Sequence, residues 1–315
     1  MRGRYFIQKC LQCNRLVAIM VMAIFSAAQT PSSKTSMLLK VDHATVCSSE
    51  LDPMRQAFAS VGPVTDYGGP HASVTHMALL GFEDGSYLEL IAPQRPGVTA
   101  GSNWAKFMAG DAGACAWAVG SQEISADVER LKKAGVGADG PFAGSRKKPD
   151  GTLIEWETAG VGTGTPGATL PFMIQDKTPR NLRVQPSASV KGSGLTGISI
   201  VVLGVKDLDA AVALFRKAYG WPAPSIEEHN EFGAKMAYFS GTPVVLATPF
   251  NKDSWLTRRL QDFGESPVAY LLGTTDLGAA TKRYSLIAQT QWFGKKLAWF
   301  DARKLKGVRL AVIAP

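Results

Sequence analysis

Two hydrophobic periods alternate along this chain. Four times, a strand-like apolar run gives way to an acidic or polar pair, and then to an aliphatic residue that opens a stripe of 3.6-residue period. The runs are residues 41–46, 116–119, 198–205 and 268–272. The stripes are Leu51, Met54, Phe58 and Val61; Ile124, Val128 and Leu131; Leu208, Ala211, Val212 and Phe215; and Leu277, Ala280, Tyr284 and Ile287. Gly62, Gly135 and Gly220 stop the first three helices, because glycine tolerates the left-handed turn past a helix end. Short strand-like runs follow each helix and end in residues 87–91, 153–157, 244–247 and 308–313. Asp84-Gly85 and Asp150-Gly151 supply hairpin turns before the first two. Each unit therefore reads β-α-β-β-β. The fold class is α+β, built from four βαβββ modules, and the repeat is the dominant architectural signal.

Residues 177–194 break the pattern. They are polar, rich in Pro, Ser and Gly, and read as a linker. The expected domains are residues 38–176 and 195–315, two modules each. A sheet with helices on one face needs a partner for the other, and pairing the modules leaves a concave cup between them.

Composition narrows the partners. The chain has 315 residues, 45% of them hydrophobic and 19% charged, which suits a globular protein. The formal charge is +8, but four of the basic residues lie before residue 29, where there is no acid. The remaining excess is modest and forms no long basic run, so nucleic acid is not the expected partner. The basic start, the uncharged apolar stretch 16–28 and the small residues Ser26-Ala27-Ala28 describe a signal peptide over residues 1–28. A retained N-terminal anchor, or a start at Met20, are the alternatives. No later stretch is apolar for long enough to span a bilayer. The expected location is therefore outside the cytoplasm, periplasmic or secreted. Cys10 and Cys13 fall within the leader and carry no redox or metal meaning. Cys47 and Cys115 remain, either as one bridge in an exported protein or as two buried thiols.

The paired modules, the acidic-aliphatic helix starts and the glutamate in the last strand resemble the vicinal oxygen chelate superfamily, and within it the glyoxalase-like domain proteins. The resemblance rests on Val41-Asp42-His43, Gly68-Gly69-Pro70-His71, Thr75-His76, Asp84-Gly85, Tyr87 to Pro93, Pro149-Asp150-Gly151 and Leu170-Pro171-Phe172. It covers residues 40–175 well, whereas residues 195–315 match only in unit pattern. It implies two glyoxalase-like domains and a divalent metal in the cup, held from the first and last strands of paired modules. An internal alignment places His43, Ala116, Ile200 and Ala269 at the first-strand ligand position. It places Glu89, Glu155, Val245 and Ala311 at the last-strand position. The N-terminal pair thus offers His43, Glu89 and Glu155, and the C-terminal pair offers nothing that binds a metal.

An imidazole with two carboxylates suits Zn, Mn, Fe or Ni and leaves positions open for a substrate with two neighbouring oxygens. On this expectation His43 and Glu89 are metal ligands and Glu155 is a ligand and the catalytic base. His76 is a substitute ligand for the position that Ala116 leaves empty, and His71 faces substrate from a Gly-Pro loop. Gly160, Gly162, Gly164 and Gly167 resemble a phosphate loop but precede a strand-like run, so they read as a mobile loop over the cup. Arg146-Lys147-Lys148 reads as a short basic turn, either solvated or in contact with an anionic substrate. Trp104, Trp117 and Trp156 are core or pocket aromatics. The expected function is an exported metal-dependent lyase, isomerase or dioxygenase on a small oxygen-chelating substrate. The alternative is a metal-free protein that binds or sequesters a small molecule, and the partners expected are that molecule and a second copy in a homodimer.

Overall fold

A computed structural model describes residues 37–71 and 74–315. The leader expected over residues 1–28 lies outside the described residues. The N-terminal half runs β1 (Val41–Cys47), α1 (Leu51–Ser60), β2 (Asp66–Pro70), β3 (Thr75–Gly81), β4 (Tyr87–Pro93), α2 (Ala105–Ala109), β5 (Gly113–Gly120), α3 (Ile124–Lys133), β6 (Ala138–Lys147), β7 (Leu153–Val161), β8 (Phe172–Asp176) and α4 (Arg180–Arg183). The C-terminal half follows with β9 (Leu195–Gly204), α5 (Leu208–Tyr219), β10 (Ser225–His229), β11 (Ala234–Tyr238), β12 (Val244–Pro249), α6 (Trp255–Phe263), β13 (Ser266–Thr274), α7 (Leu277–Tyr284), β14 (Ile287–Trp292), β15 (Lys295–Trp299) and β16 (Leu310–Ile313).

Each half forms one eight-stranded curled sheet. The orders are β2-β3-β4-β1-β5-β8-β7-β6 and β10-β11-β12-β9-β13-β16-β15-β14, the same path in both. Four βαβββ modules, as the periodicity predicts, thus make two glyoxalase-like domains, as the resemblance implies. The four helices that follow the first strand of each module begin at Leu51, Ile124, Leu208 and Leu277, the aliphatic residues that open the stripes. Asp207 and Asp276 cap their helices through side-chain oxygens that accept from the amides of Ala210 and Ala279. Gly220 ends α5 in the left-handed region (φ 71°), and Ser285 takes that role after α7, where no glycine stands (φ 49°). Ile287 leaves the fourth stripe and lies exposed in β14.

Helices α1, α3, α5 and α7 lie between the two sheets. Phe58, Val128, Phe215, Trp221 and Tyr284 belong to one apolar core shared by both halves. Tyr270 of β13 pins the halves together. Its buried hydroxyl lies 2.7 and 2.8 Å from the carbonyl oxygens of Thr45 and Ala116 and accepts from the Cys115 amide at 3.3 Å. Burial pushes the pKa of that hydroxyl far above the ordinary range, which keeps it protonated and a donor. Cys47 and Cys115 form a disulfide across β1 and β5, with Cα atoms 5.9 Å apart. Among the described residues, no helix is long and apolar enough to cross a membrane.

Candidate functional site

The strand pairing decides which residues face the N-terminal cup. Strands β1 and β5 are antiparallel, with His43 opposite Ala118 and Thr45 opposite Ala116. This register relates His43 to Ala116 and Thr45 to Ala118 by a local two-fold. Parallel pairing then sets Glu89 beside Thr45 and Phe172 beside Ala118. Phe172 of β8 therefore occupies the position equivalent to Glu89. The sequence alignment puts Glu155 there, with residues 153–157 as the last strand of the second module. They begin β7, the third strand of that module, and one further strand closes it.

Glu155 is consequently displaced from the site. It is exposed and pairs with Ser145, whereas Trp156 and Thr158, on the other face of β7, line the cavity. Side chains one residue apart on a strand point to opposite faces, so a shift of one position removes a ligand altogether. His76 is displaced for the same reason. Its neighbours Thr75 and Met77 line the cavity, while its own ring packs edge-on to Tyr67, 6.1 Å between centroids. Burial lowers its basicity, with Asp52 and Arg55 of α1 acting in opposite directions.

His43, Glu89 and His71 do converge. The cavity they line holds about 480 Å³, and its walls include Trp104, Trp156, Phe172 and Ile174. His71 reaches it from the segment after β2. The Glu89 carboxylate is buried, with one oxygen 3.9 Å from His43 Nε2 and the other 3.6 Å from His71 Nε2. The Thr45 hydroxyl donates to it at 3.3 Å. Burial holds the His71 imidazole below its ordinary basicity against the pull of Glu89, and the Nδ1 of His71 is bonded to the Thr75 hydroxyl at 2.9 Å.

A residue beside His43 completes the arrangement, and the reading of donor positions alone missed it. Asp42 Oδ1 lies 2.6 Å from His43 Nδ1. The same carboxylate accepts from Arg183 Nη1 and Nη2 at 2.9 and 2.8 Å, and from Arg180. Burial would raise the pKa of Asp42, but the His43 hydrogen bond and the Arg183 guanidinium hold it far below the usual carboxylate range. Asp42 is therefore the acceptor and His43 Nδ1–H the donor. That choice fixes the tautomer: in neutral His43 the lone pair sits on Nε2, the nitrogen near Glu89. Tyr87 stacks on the ring at 4.8 Å between centroids, and Phe172 meets it edge-on at 5.3 Å.

Both arginines come from α4, inside the segment read as a linker. Arg183 also holds Asp176, through Nε at 2.5 Å and Nη2 at 3.0 Å, and donates to the Tyr87 hydroxyl at 2.9 Å. An Asp-x-x-x-Arg-x-x-Arg spacing from Asp176 is the only signal that could have marked this cluster in the sequence.

The expected metal does not fit these residues. Of the four positions related by the local two-fold, His43 and Glu89 carry donors, and Ala116 and Phe172 do not. His71 Nε2 and His43 Nε2 lie 3.6 and 3.9 Å from different oxygens of Glu89. Among the described residues, no group of three or more His, Cys, Asp or Glu side chains is disposed to hold a metal ion.

Comparison with known proteins follows the same outline. A family model described as a glyoxalase-like domain matches residues 41–203. No curated protein matches the chain. Among solved structures, a triple mutant of 4-hydroxymandelate synthase from Streptomyces coelicolor is similar over 88% of this chain and 92% of its own, with TM-score 0.59 and 11% identity. A hypothetical protein from Staphylococcus aureus is similar over 88% of this chain and 100% of its own, with TM-score 0.55 and 14% identity. At these identities the likeness is one of fold.

Proposed function

Because the chain belongs to the glyoxalase-like domain family of the vicinal oxygen chelate superfamily, we propose that its N-terminal cup takes a small oxygenated molecule and acts on it by proton transfer, as an isomerase or lyase. Divalent metals are common in this superfamily. The donor set here supports instead a reaction carried by the chain's own acid–base groups. The observation that carries the reading is the Asp42–His43 pair, whose Nε2 side opens on a cavity that also holds Glu89 and His71.

The chemistry follows from the geometry. A C–H bond next to a carbonyl gives its proton to His43 Nε2, and the electron pair moves onto the carbonyl oxygen. The imidazolium that forms is stabilised by ionised Asp42 on one side and Glu89 on the other. Return of the proton to a different face or atom completes an isomerisation, and loss of a β-substituent from the enolate completes an elimination. Trp104, Trp156 and Phe172 exclude water from the apolar part of the ligand.

The test is carbon-bound hydrogen exchange in D2O, followed by proton NMR over a panel of small α-keto and α-hydroxycarbonyl compounds. The wild-type protein is expected to accelerate exchange for at least one of them, and His43→Ala to lose about 10²-fold or more of that acceleration. No acceleration across the panel, with metal removed or supplied, returns the cup to a role in holding a ligand unchanged. Export is proposed with it. The leader pattern over residues 1–28 and the Cys47–Cys115 bridge support an oxidising compartment, and N-terminal sequencing of the protein recovered outside the cytoplasm tests it.

A further inference from the structure

Arg146 is the one cationic wall of the cup whose charge the structure leaves without a dedicated partner among the described residues. The sequence places it in a basic turn, yet it stands in β6 with only 4% of its surface exposed. Its inward direction follows from the β6–β7 register. Gly144 and Arg146 share the face that carries Trp156 and Thr158, and all four line the cavity. Gly144 is needed there, since a Cβ at that position would lie 2.4 Å from the Trp156 indole nitrogen.

The two buried arginines of the cup differ in what they hold. Arg183 is spent on Asp42 and Asp176. Arg146 donates only to backbone carbonyls, those of Gly68 and, at 3.4 Å, Arg183. Those two bonds aim the guanidinium, and among the described residues no carboxylate is paired with it. Burial lowers its basicity, while Tyr87 and Glu89 pull the other way. Glu89 is the cavity's own carboxylate, but it is already taken up between His43, His71 and Thr45. A buried guanidinium without a counter-charge is costly, and a carboxylate that meets its planar fork removes that cost.

We propose that Arg146 anchors the carboxylate of the ligand, so that the cup selects small organic acids with an apolar or aromatic body over their uncharged counterparts. The acid group would meet Arg146 while the body lies among Trp104, Trp156 and Phe172, within reach of His43 and Glu89. This deepens the proton-transfer reading and rests on the cup being the ligand site, but it does not require His43 to be the base.

The experiment compares phenylacetate with phenylacetamide, equal in size and different in charge, by isothermal titration at fixed moderate ionic strength. Wild-type protein is expected to bind the acid about tenfold or more tightly than the amide. Arg146→Gln should bring that ratio to about one, and Arg146→Lys should keep part of the preference. The ratio within one variant is read only on protein that keeps the wild-type circular dichroism spectrum. Should Arg146→Gln fail to fold, Arg146→Lys carries the test, and a full wild-type ratio in it overturns the proposal. An equal affinity for acid and amide in the wild type overturns the proposal and leaves the cup as the site. A ratio that survives Arg146→Gln does the same. Failure of both probes to bind removes the cup as a ligand site and the proposal with it.

Discussion

The two halves of the molecule share one strand order and differ in what fills the hollow. In the C-terminal half the four positions equivalent to His43, Ala116, Glu89 and Phe172 are Ile200, Ala269, Val245 and Ala311. All four are buried in an apolar cluster with Phe232, Leu256, Leu260, Trp292 and Leu297. Trp255 of α6 packs against that cluster, with Arg309 over its indole at 3.7 Å. The hollow that holds a ligand-sized cavity in one half is a second hydrophobic core in the other. The lesson concerns the use of one scaffold for two ends. A curled sheet leaves a concave face that must be filled, and a pair that spends it on side chains gains stability where its sister keeps room for chemistry.

Filling and emptying these hollows should separate them. Trp292→Ala in the C-terminal hollow removes a fully packed indole and should destabilise by about 3–5 kcal/mol. Trp156→Ala, which faces the open cavity, should cost less than half as much. Chemical denaturation of the two variants checks the contrast, and equal losses would remove it.

Asp42→Asn should cost less, about 2–4 kcal/mol, because buried Arg183 keeps Asp176 but loses one of its two carboxylate partners. The same residue sets the acid limit. Its folded-state value lies below its unfolded one, so its contribution is present above the ordinary carboxylate value and lost as pH falls through and below it. Denaturation midpoints measured between about pH 5 and pH 2 should fall steeply in the wild type and more gently in Asp42→Asn.

Reduction of the Cys47–Cys115 bridge should lower stability by about 2–4 kcal/mol, since it closes a loop across a sequence separation of 68 residues. The loss should be confined to the N-terminal sheet, where hydrogen exchange in β1 and β5 will report it. His71 sharpens the picture at milder pH. Its basicity is depressed by burial, so the folded state loses stability as pH drops below about 6.5, the unfolded value. His71→Gln should remove that slope in denaturation measured from pH 7 to pH 5. The smallest effect belongs to Glu155→Ala. An exposed carboxylate on the outer face of β7 should change neither ligand affinity nor midpoint measurably.

Much of this was legible before any coordinates. The helix starts at Leu51, Ile124, Leu208 and Leu277 are visible because a 3.6-residue stripe and an acidic first position are local signals. The loss of donors in the C-terminal half is visible too, since Ile200, Ala269, Val245 and Ala311 carry no lone pair to offer. Glu155 and His76 were misplaced for one shared reason. Alternation along a strand gives two faces but does not say which face looks inward, and the second module has one strand more after Glu155 than its turn pattern announced. Phe172 was in view as part of a motif, without any sign that it replaces a carboxylate.

Sequence settled the four modules and the emptiness of the second donor set, because these depend on residue identity and on neighbours a few residues apart. Tertiary structure alone settled the site. Asp42 meets Arg183 across a separation of 141 residues, His71 meets Glu89 only when β2, β3 and β4 assemble, and Arg146 turns inward only because of its register with β7. Such meetings depend on strand register and chain reversal, which a one-dimensional pattern does not contain.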